Sequence, residues 1–427
     1  MSWAGGSGTR RAALLVAAVL GAAFVVVVAV RTPWAPLPTP PGGATPLSAD
    51  AGLPVEAVRR AEAFVAALRP ASLTGLVLGL AVSAVLGLTP LGSRLVTAVG
   101  RLVGRRWPLT VLLGAVVLVV VGRLVTLPLS AYGEVVRHRY GLSTRSWPLW
   151  LRDVALSTAI DAGLTALALL ALVTLARRAP RTWWAWAAAG AAGLVVAGSF
   201  LYPVVIEPAF NRFESLPASQ LRTDLLELAA DSGNPVQDVL VADASRRTTS
   251  LNAYVSGFGS TRRVVVYDTL LAEVPDEEIK SIVAHELGHV ANDDVLTGTL
   301  LGALGAAAAV ALLGWLLSWT PLLRRAGAGS AADPRVVPLV LLLSAVGSLV
   351  ATPVQNLVSR HVEARADLYA LDLTGDAEAF TGVQRRLSET NVSDPSPPAL
   401  WQWFFGSHPT PAERVAMAQD WLRLGER

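Results

Sequence analysis

Two of the five histidines in this 427-residue chain stand four positions apart, in the segment 283–290 (VAHELGHV). On an α-helix, residues i and i+4 lie on one face, so the imidazoles of His285 and His289 can reach a single metal ion. Glu286 directly follows the first histidine and is near enough to act as a general base on a water molecule. Two nitrogen ligands, a carboxylate base and a position for water make up a catalytic zinc site. The pattern therefore predicts zinc hydrolase chemistry, and the alternative is a solvated helix face.

A third protein ligand must be His, Asp or Glu, because the chain contains no cysteine. Asp293 and Asp294 are the nearest acids, but only Asp293 is expected on the histidine face, and it lies too near the ligand helix. Better candidates are Glu363 and Asp367, which are also four residues apart. One can bind the metal while the other accepts a hydrogen bond from a ligand imidazole. The alternative is ordinary charge pairing along a helix, Arg360 with Glu363.

The helix that carries the two histidines is expected to begin at Pro275, because three acids follow at 276–278, at the positive end of the helix dipole. Its pattern continues into the next apolar run, which predicts one unbroken helix. Gly288 in the helix interior is unfavourable by roughly 1 kcal/mol relative to Ala, so we expect close approach of a neighbouring element there. Upstream, the sequence predicts a helix and two short strands, at 218–232, 239–242 and 263–267.

Composition places the chain in the membrane class. Hydrophobic residues make up 53% of the chain and charged residues only 16%, with a mean hydropathy of +0.49. A soluble domain of this composition would have too little polar surface to face water. The formal net charge of +3 is small and scattered, so we expect no nucleic acid partner.

Seven apolar runs are long enough to cross a bilayer, which needs about 20 residues per helix. They are residues 12–30, 71–89, 108–128, 154–176, 183–203, 295–320 and 335–358. The first is interpreted as a retained span rather than a cleaved signal peptide. A Pro/Gly-rich connector and a short amphipathic helix at 54–68 follow it. Arg123 and Asp161 fall inside spans, where charges usually face the bundle interior or water.

These features predict a mainly α, polytopic membrane protein with a small α+β zinc-hydrolase domain. The expected parts are an N-terminal span with connector and amphipathic helix (1–70), spans two to five (71–203), the zinc domain (204–297), spans six and seven (298–358), and the C-terminal part of the zinc domain with the third ligand (359–427). The two polar parts share one side of the membrane, because two crossings separate them.

The combination of His-Glu-Leu-Gly-His with a distal Glu-x-x-x-Asp resembles the integral-membrane gluzincin peptidases, specifically the type I CAAX prenyl endopeptidases. Further segments are similar to that family and together cover residues 71–425 in broad terms: 139–144 (RYGLST), 202–213 (YPVVIEPAFNRF), 252–254 (NAY), 265–271 (VVYDTLL) and 407–409 (SHP) with Glu413 and Arg414.

The resemblance implies a barrel of seven membrane helices around a water-filled chamber, capped by the zinc domain. It implies one zinc ion per chain, with His285, His289 and Glu363 as ligands and Glu286 as the general base. Asp367 is then left to accept a hydrogen bond from a ligand imidazole.

The resemblance also implies substrate contacts. Asn252 and Tyr254 would hold the backbone of a peptide added as an extended strand beside 252–258. His408 and Arg414 would lie at the transition state or at a substrate carboxylate. Without the family, a turn role for Asn252 and an ordinary loop role for His408 are the alternatives.

The predicted function is that of an integral-membrane zinc metalloendopeptidase, with the lipid bilayer and a peptide or protein substrate, membrane-associated or not, as partners. One alternative is a heat-shock-type membrane quality-control protease, which is expected to have fewer spans. A channel or transporter is another, given the charges inside the spans.

The side of the membrane that the zinc domain faces stays open. Short loops on the opposite side carry twelve arginines, and those on its own side carry eight over a longer stretch. The positive-inside rule therefore favours an external zinc domain, whereas the family resemblance implies a cytoplasmic one.

Overall fold

The computed structural model describes residues 7–257 and 259–425. Three parts of the sequence predictions lie outside these ranges: the first six residues of the N-terminal part, residue 258 at the end of the predicted edge segment, and residues 426–427 of the C-terminal part.

The described residues are mainly helical. In chain order the helices are α1 (Ser7–Arg31), α2 (Val55–Leu88), α3 (Pro90–Leu102), α4 (Trp107–Arg139), α5 (Trp147–Arg178), α6 (Trp183–Leu201), α7 (Glu207–Phe210), α8 (Gln220–Asp231), α9 (Asp268–Glu273), α10 (Asp276–Ala291), α11 (Asp294–Leu316), α12 (Thr320–Arg325), α13 (Val337–Thr374), α14 (Ala377–Thr390), α15 (Ala399–Phe405) and α16 (Pro411–Gly425). The strands are β1 (Phe213–Ser215), β2 (Asp238–Ala242), β3 (Ala253–Ser256) and β4 (Arg263–Tyr267).

Within the described ranges, seven helices are long and apolar enough to cross a membrane: α1, α2, α4, α5, α6, α11 and α13. Six of them follow one another around a ring in the order α2, α4, α5, α6, α11 and α13, with α13 packing back on α2 and α1 packing on α11. The predicted polytopic helical barrel is therefore confirmed. Arg123 lines a cavity between α2, α4 and α5, as expected for a charge inside a span, and Asp161 is exposed.

Several span helices extend well beyond the bilayer. The 38 residues of α13 rise roughly 57 Å at 1.5 Å per residue, against about 30 Å of hydrocarbon. The extension carries Glu363 and Asp367 into the protease domain. The short amphipathic helix predicted for 54–68 is not a separate element, because α2 continues through Pro70 into the span.

The protease domain contains a four-stranded sheet in the order β1-β2-β4-β3. Strands β2 and β4 are parallel, with Leu240 opposite Val265, and match the two strands predicted from the sequence. Among the described strands, β3 pairs with β4 and comes last in the order, so it lies at one edge of the sheet. Apolar residues of β4 and α10, such as Val264 and Val283, are fully buried in the domain core with those of α8.

The prediction of one unbroken helix through the histidines into the sixth span is wrong. Helix α10 ends at Ala291, and α11 begins at Asp294. Between them Asp293 adopts the left-handed conformation, with φ 52° and ψ 38°. Asp and Asn accept this conformation more readily than most residues, so the chain can change direction here.

Candidate active site

The site is built where α10 packs on α13. A Cβ added at Gly288 would lie 3.0 Å from the Cβ of Tyr369 and 3.2 Å from the Cα of Ala366. Contacts that short are tighter than ordinary van der Waals contact, so a side chain at this position would require Tyr369 or Ala366 to move by a few tenths of an ångström. The close approach predicted for Gly288 is confirmed, and it places residues of α10 opposite residues of α13.

Three side chains from these helices converge. The Nε2 atoms of His285 and His289 lie 3.2 Å apart. Glu363 Oε2 lies 3.2 Å from His285 Nε2, and Glu363 Oε1 lies 3.6 Å from His289 Nε2. One ligand atom from each residue lies within 4.8 Å of the others. Within the described residues, Arg360 donates to the carbonyls of Gln402 and Gly406 instead of pairing with Glu363.

The arrangement fits a metal ion of the size of zinc. Ligand atoms about 2.0–2.1 Å from a tetrahedral zinc are roughly 3.3 Å from one another, close to the separations between His285, His289 and Glu363. Within the described residues, the buried Oε2 of Glu363 has no hydrogen-bond partner, and an ion would satisfy it. Two nitrogen donors and one carboxylate oxygen are ligands that zinc prefers.

Asp367 orients the first histidine. Its carboxylate, fully buried, lies 2.8 Å from His285 Nδ1, which leaves Nε2 facing the site. Arg414 holds that carboxylate with two parallel hydrogen bonds, of which the bond from Nε to Oδ2 is 2.7 Å. Burial alone would lower the pKa of His285, but the hydrogen bond to Asp367 and the nearby carboxylate of Glu363 outweigh it and raise the pKa to about 10.

Asp294 performs the same task for the second histidine, which the sequence analysis missed. Its Oδ2 lies 3.0 Å from His289 Nδ1, and its other oxygen accepts from Arg365. The expectation that Asp293 occupies the histidine face is wrong, because the left-handed residue turns the chain and brings Asp294 to that face. The signal that could have revealed this is the run Asn292-Asp293-Asp294, which is typical of a helix end rather than a helix interior.

Glu286 and His408 face the same cavity. Burial raises the pKa of Glu286, although the nearby His285 and His289 partly offset this. His408 lies with Nε2 3.4 Å from Glu363 Oε2, and its Nδ1 is 2.9 Å from Ser407 Oγ. Partial burial lowers the pKa of His408, so the imidazole is neutral at pH 7.

The cavity has a volume of about 670 Å³ and brings together the remaining predicted residues, Asn252, Tyr254 and Arg414. Asn252 is exposed at the start of β3. The hydroxyl of Tyr254 donates to Glu207 Oε2 at 3.4 Å. Burial raises the pKa of both groups of that pair, so Tyr254 keeps its proton.

Comparisons with known proteins agree with this architecture. The family model described as peptidase family M48 matches residues 215–422, and the one described as CAAX prenyl protease N-terminal, five membrane helices, matches residues 61–212. The crystal structure of S. mikatae Ste24p has the same fold, with a TM-score of 0.77 at 21% sequence identity, over 98% of this chain and 99% of that chain.

Two relatives extend the similarity. The chain is 32% identical to a protein named as the uncharacterized metalloprotease YhfN of Bacillus subtilis, over 71% of this chain and 72% of the relative. It is 30% identical to a CAAX prenyl protease 1 homolog of Arabidopsis thaliana, over 68% of each chain. The chain therefore belongs to peptidase family M48 and is an integral-membrane metalloendopeptidase resembling the CAAX prenyl proteases.

Proposed function

We propose that this metalloendopeptidase uses one zinc ion held by His285, His289 and Glu363. The observation that carries the proposal is the convergence of two imidazole nitrogens and one carboxylate at separations of 3.2–3.6 Å. When bound, zinc supplies a Lewis acid for the substrate carbonyl and lowers the pKa of a water molecule.

Glu286 is proposed as the general base that takes a proton from the attacking water and passes it to the leaving nitrogen. Its raised pKa suits this double role, because a base is most effective when its pKa approaches the working pH. His408 is proposed to stabilise the developing oxyanion. If Ser407 donates to Nδ1, the proton of the neutral imidazole resides on Nε2, the atom that faces Glu363.

The substrate is proposed to be a peptide segment of a membrane-associated protein. Strand β3 has a free edge, where an extended peptide can form backbone hydrogen bonds. Within the described ranges, the side chain of Asn252 makes no hydrogen bond and is available to the substrate. Arg414 uses Nε and Nη2 to hold Asp367, which leaves Nη1 for a substrate carbonyl or carboxylate. The Arabidopsis relative is named as a CAAX prenyl protease homolog, but the proposal does not depend on a prenyl group.

Replacement of the base tests the mechanism. Purified Glu286→Gln protein should retain one zinc per chain and lose proteolysis. The matched control is Glu277→Gln, an exposed position of the same helix where the carboxylate accepts from Lys280. Substrates are found by comparing protein termini in membranes that contain wild-type or Glu286→Gln protein. Proteolysis that survives in Glu286→Gln would contradict the mechanism.

The alternative functions are disfavoured. A heat-shock-type protease was expected to have fewer spans than the seven candidate spans of the described residues, and a transporter does not need the convergent His285, His289 and Glu363.

The side of the membrane that the zinc domain faces can be tested with single cysteines, because the chain has none of its own. If only Ser396→Cys reacts with an impermeant maleimide on intact cells, the domain is external; if only Arg181→Cys reacts, it is cytoplasmic.

A further inference from the structure

Helix α15 is a short aromatic helix, ALWQWFF, beside the mouth of the active-site cavity. Gln402 and Phe405 line the cavity. Leu400 and Trp403 are three residues apart and therefore share one face of the helix. They lie on the face opposite Gln402 and Phe405, because residues two positions apart in a helix point in different directions. Their side chains are 80% and 52% exposed, so this face of α15 presents large apolar groups away from the protein.

The depth of α15 relative to the bilayer follows from its contact with α13. Twenty residues of helix cross the hydrocarbon layer of about 30 Å, so a span that starts at Val337 ends near Asn356. Arg360 is the first charged residue after that run. Asn356 donates to the carbonyl of Phe404 at 2.5 Å, and Arg360 donates to the carbonyl of Gly406 at 2.6 Å. The carboxyl end of α15 is therefore fixed at the level where α13 leaves the hydrocarbon.

Helix α2 gives the same depth independently. Arg69 is the last charged residue before the uncharged run of 70–88, and it marks the same boundary on the neighbouring span. Its guanidinium lies 4.8 Å from the ring centre of Trp401 and donates to Asp394 Oδ2 at 2.7 Å. Both ends of α15 are thus attached to residues at the boundary between hydrocarbon and headgroups.

We infer that α15 is an interfacial membrane helix, with Leu400 and Trp403 inserted into the headgroup layer of the bilayer. Tryptophan and leucine are typical of apolar faces that lie in this layer, and arginines beside them suit lipid phosphates. The active-site cavity, which Gln402 and Phe405 line from the other face of α15, would then lie next to the bilayer surface, within reach of a polypeptide anchored in the membrane.

The inference is tested with spin labels on single cysteines, since the chain has none of its own. The full chain with Leu400→Cys is labelled and placed in vesicles of phosphatidylethanolamine and phosphatidylglycerol. Collision rates with oxygen, which enriches in the bilayer, and with a water-soluble nickel chelate are measured. Glu227→Cys, exposed on α8, gives the value for water, and Val19→Cys, 67% exposed at the middle of α1, gives the value for the bilayer centre.

We expect the ratio of oxygen to nickel collisions for Leu400→Cys to shift from the Glu227→Cys value toward the Val19→Cys value. Leu400 is almost fully exposed, so the substitution should not disturb folding. A ratio equal to that of Glu227→Cys would overturn the inference, because the helix would then face water. Both outcomes are read without proteolytic activity, so they are independent of the proposed mechanism.

Discussion

Asp294 offers the sharpest test of how the metal site is supported. Its carboxylate, with a side chain only 9% exposed, accepts from His289 Nδ1 at 3.0 Å. A hydrogen bond to a charged group contributes about 1.5–3 kcal/mol, and a neutral one about 1 kcal/mol. Asp294→Asn keeps the shape and an acceptor oxygen but removes the charge, so about 0.5–2 kcal/mol of support for His289 is lost. This corresponds to roughly 2–30-fold weaker zinc binding.

The control is the neighbouring residue. Asp293→Asn removes the same charge one position earlier, where the side chain is exposed and the backbone is left-handed, and Asn tolerates that conformation. Zinc dissociation constants are measured by competition with a chromophoric chelator. Melting temperatures in excess chelator separately report the lost ion pair with Arg365. Equal zinc affinities for the two variants, with only stability lowered in Asp294→Asn, would refute the reasoning.

Three further predictions concern packing, acidity and the metal. Gly288→Ala should lower the melting temperature and the zinc content. Overpacking against Tyr369 costs about 1–3 kcal/mol, whereas the better helix propensity of alanine returns about 1 kcal/mol. The control is Gly298→Ala, where a Cβ meets nothing within 4 Å, and it should lower neither quantity. In the profile of kcat/KM against pH, the midpoint of the acid limb should lie above the ordinary glutamate pKa of 4.5. Burial raises the pKa of Glu286, and activity is lost as falling pH protonates its carboxylate. A midpoint at the ordinary value would contradict this. A zinc chelator should abolish proteolysis and added zinc restore it, whereas Glu363→Gln should bind zinc too weakly for restoration; full recovery of that variant would exclude Glu363 as a ligand.

Local patterns account for the parts of the site that were predicted well. The spacing of His285 and His289 acts within one helix, and the geometry of that helix alone brings the imidazoles together. The same spacing linked Glu363 to Asp367, and resemblance to known peptidases assigned the first as ligand. Gly288 was recognised because glycine in a helix interior is unfavourable without a neighbour to justify it.

Other features depended on contacts that no local pattern encodes. The amphipathic helix at 54–68 was expected to be separate from the span at 71–89, yet α2 continues through Pro70, since packing in a long membrane helix can compensate for the missing hydrogen bond. Glu363, three residues after Arg360, is a suitable partner by sequence spacing, but the return of the chain at α15 provides carbonyls instead. Ion pairs on a helix are weak enough for such contacts to replace them.

The sequence by itself determined that two histidines and a carboxylate share one helix and that seven apolar runs accompany them, because helix periodicity and bilayer thickness act on consecutive residues. Only the tertiary structure decided which carboxylates support the histidines. The direction of the chain after α10 depends on the left-handed backbone of a single residue, Asp293. Because Asp can adopt either hand, the packing of α11 against its neighbours selects one, and that choice brings Asp294 rather than Asp293 to His289.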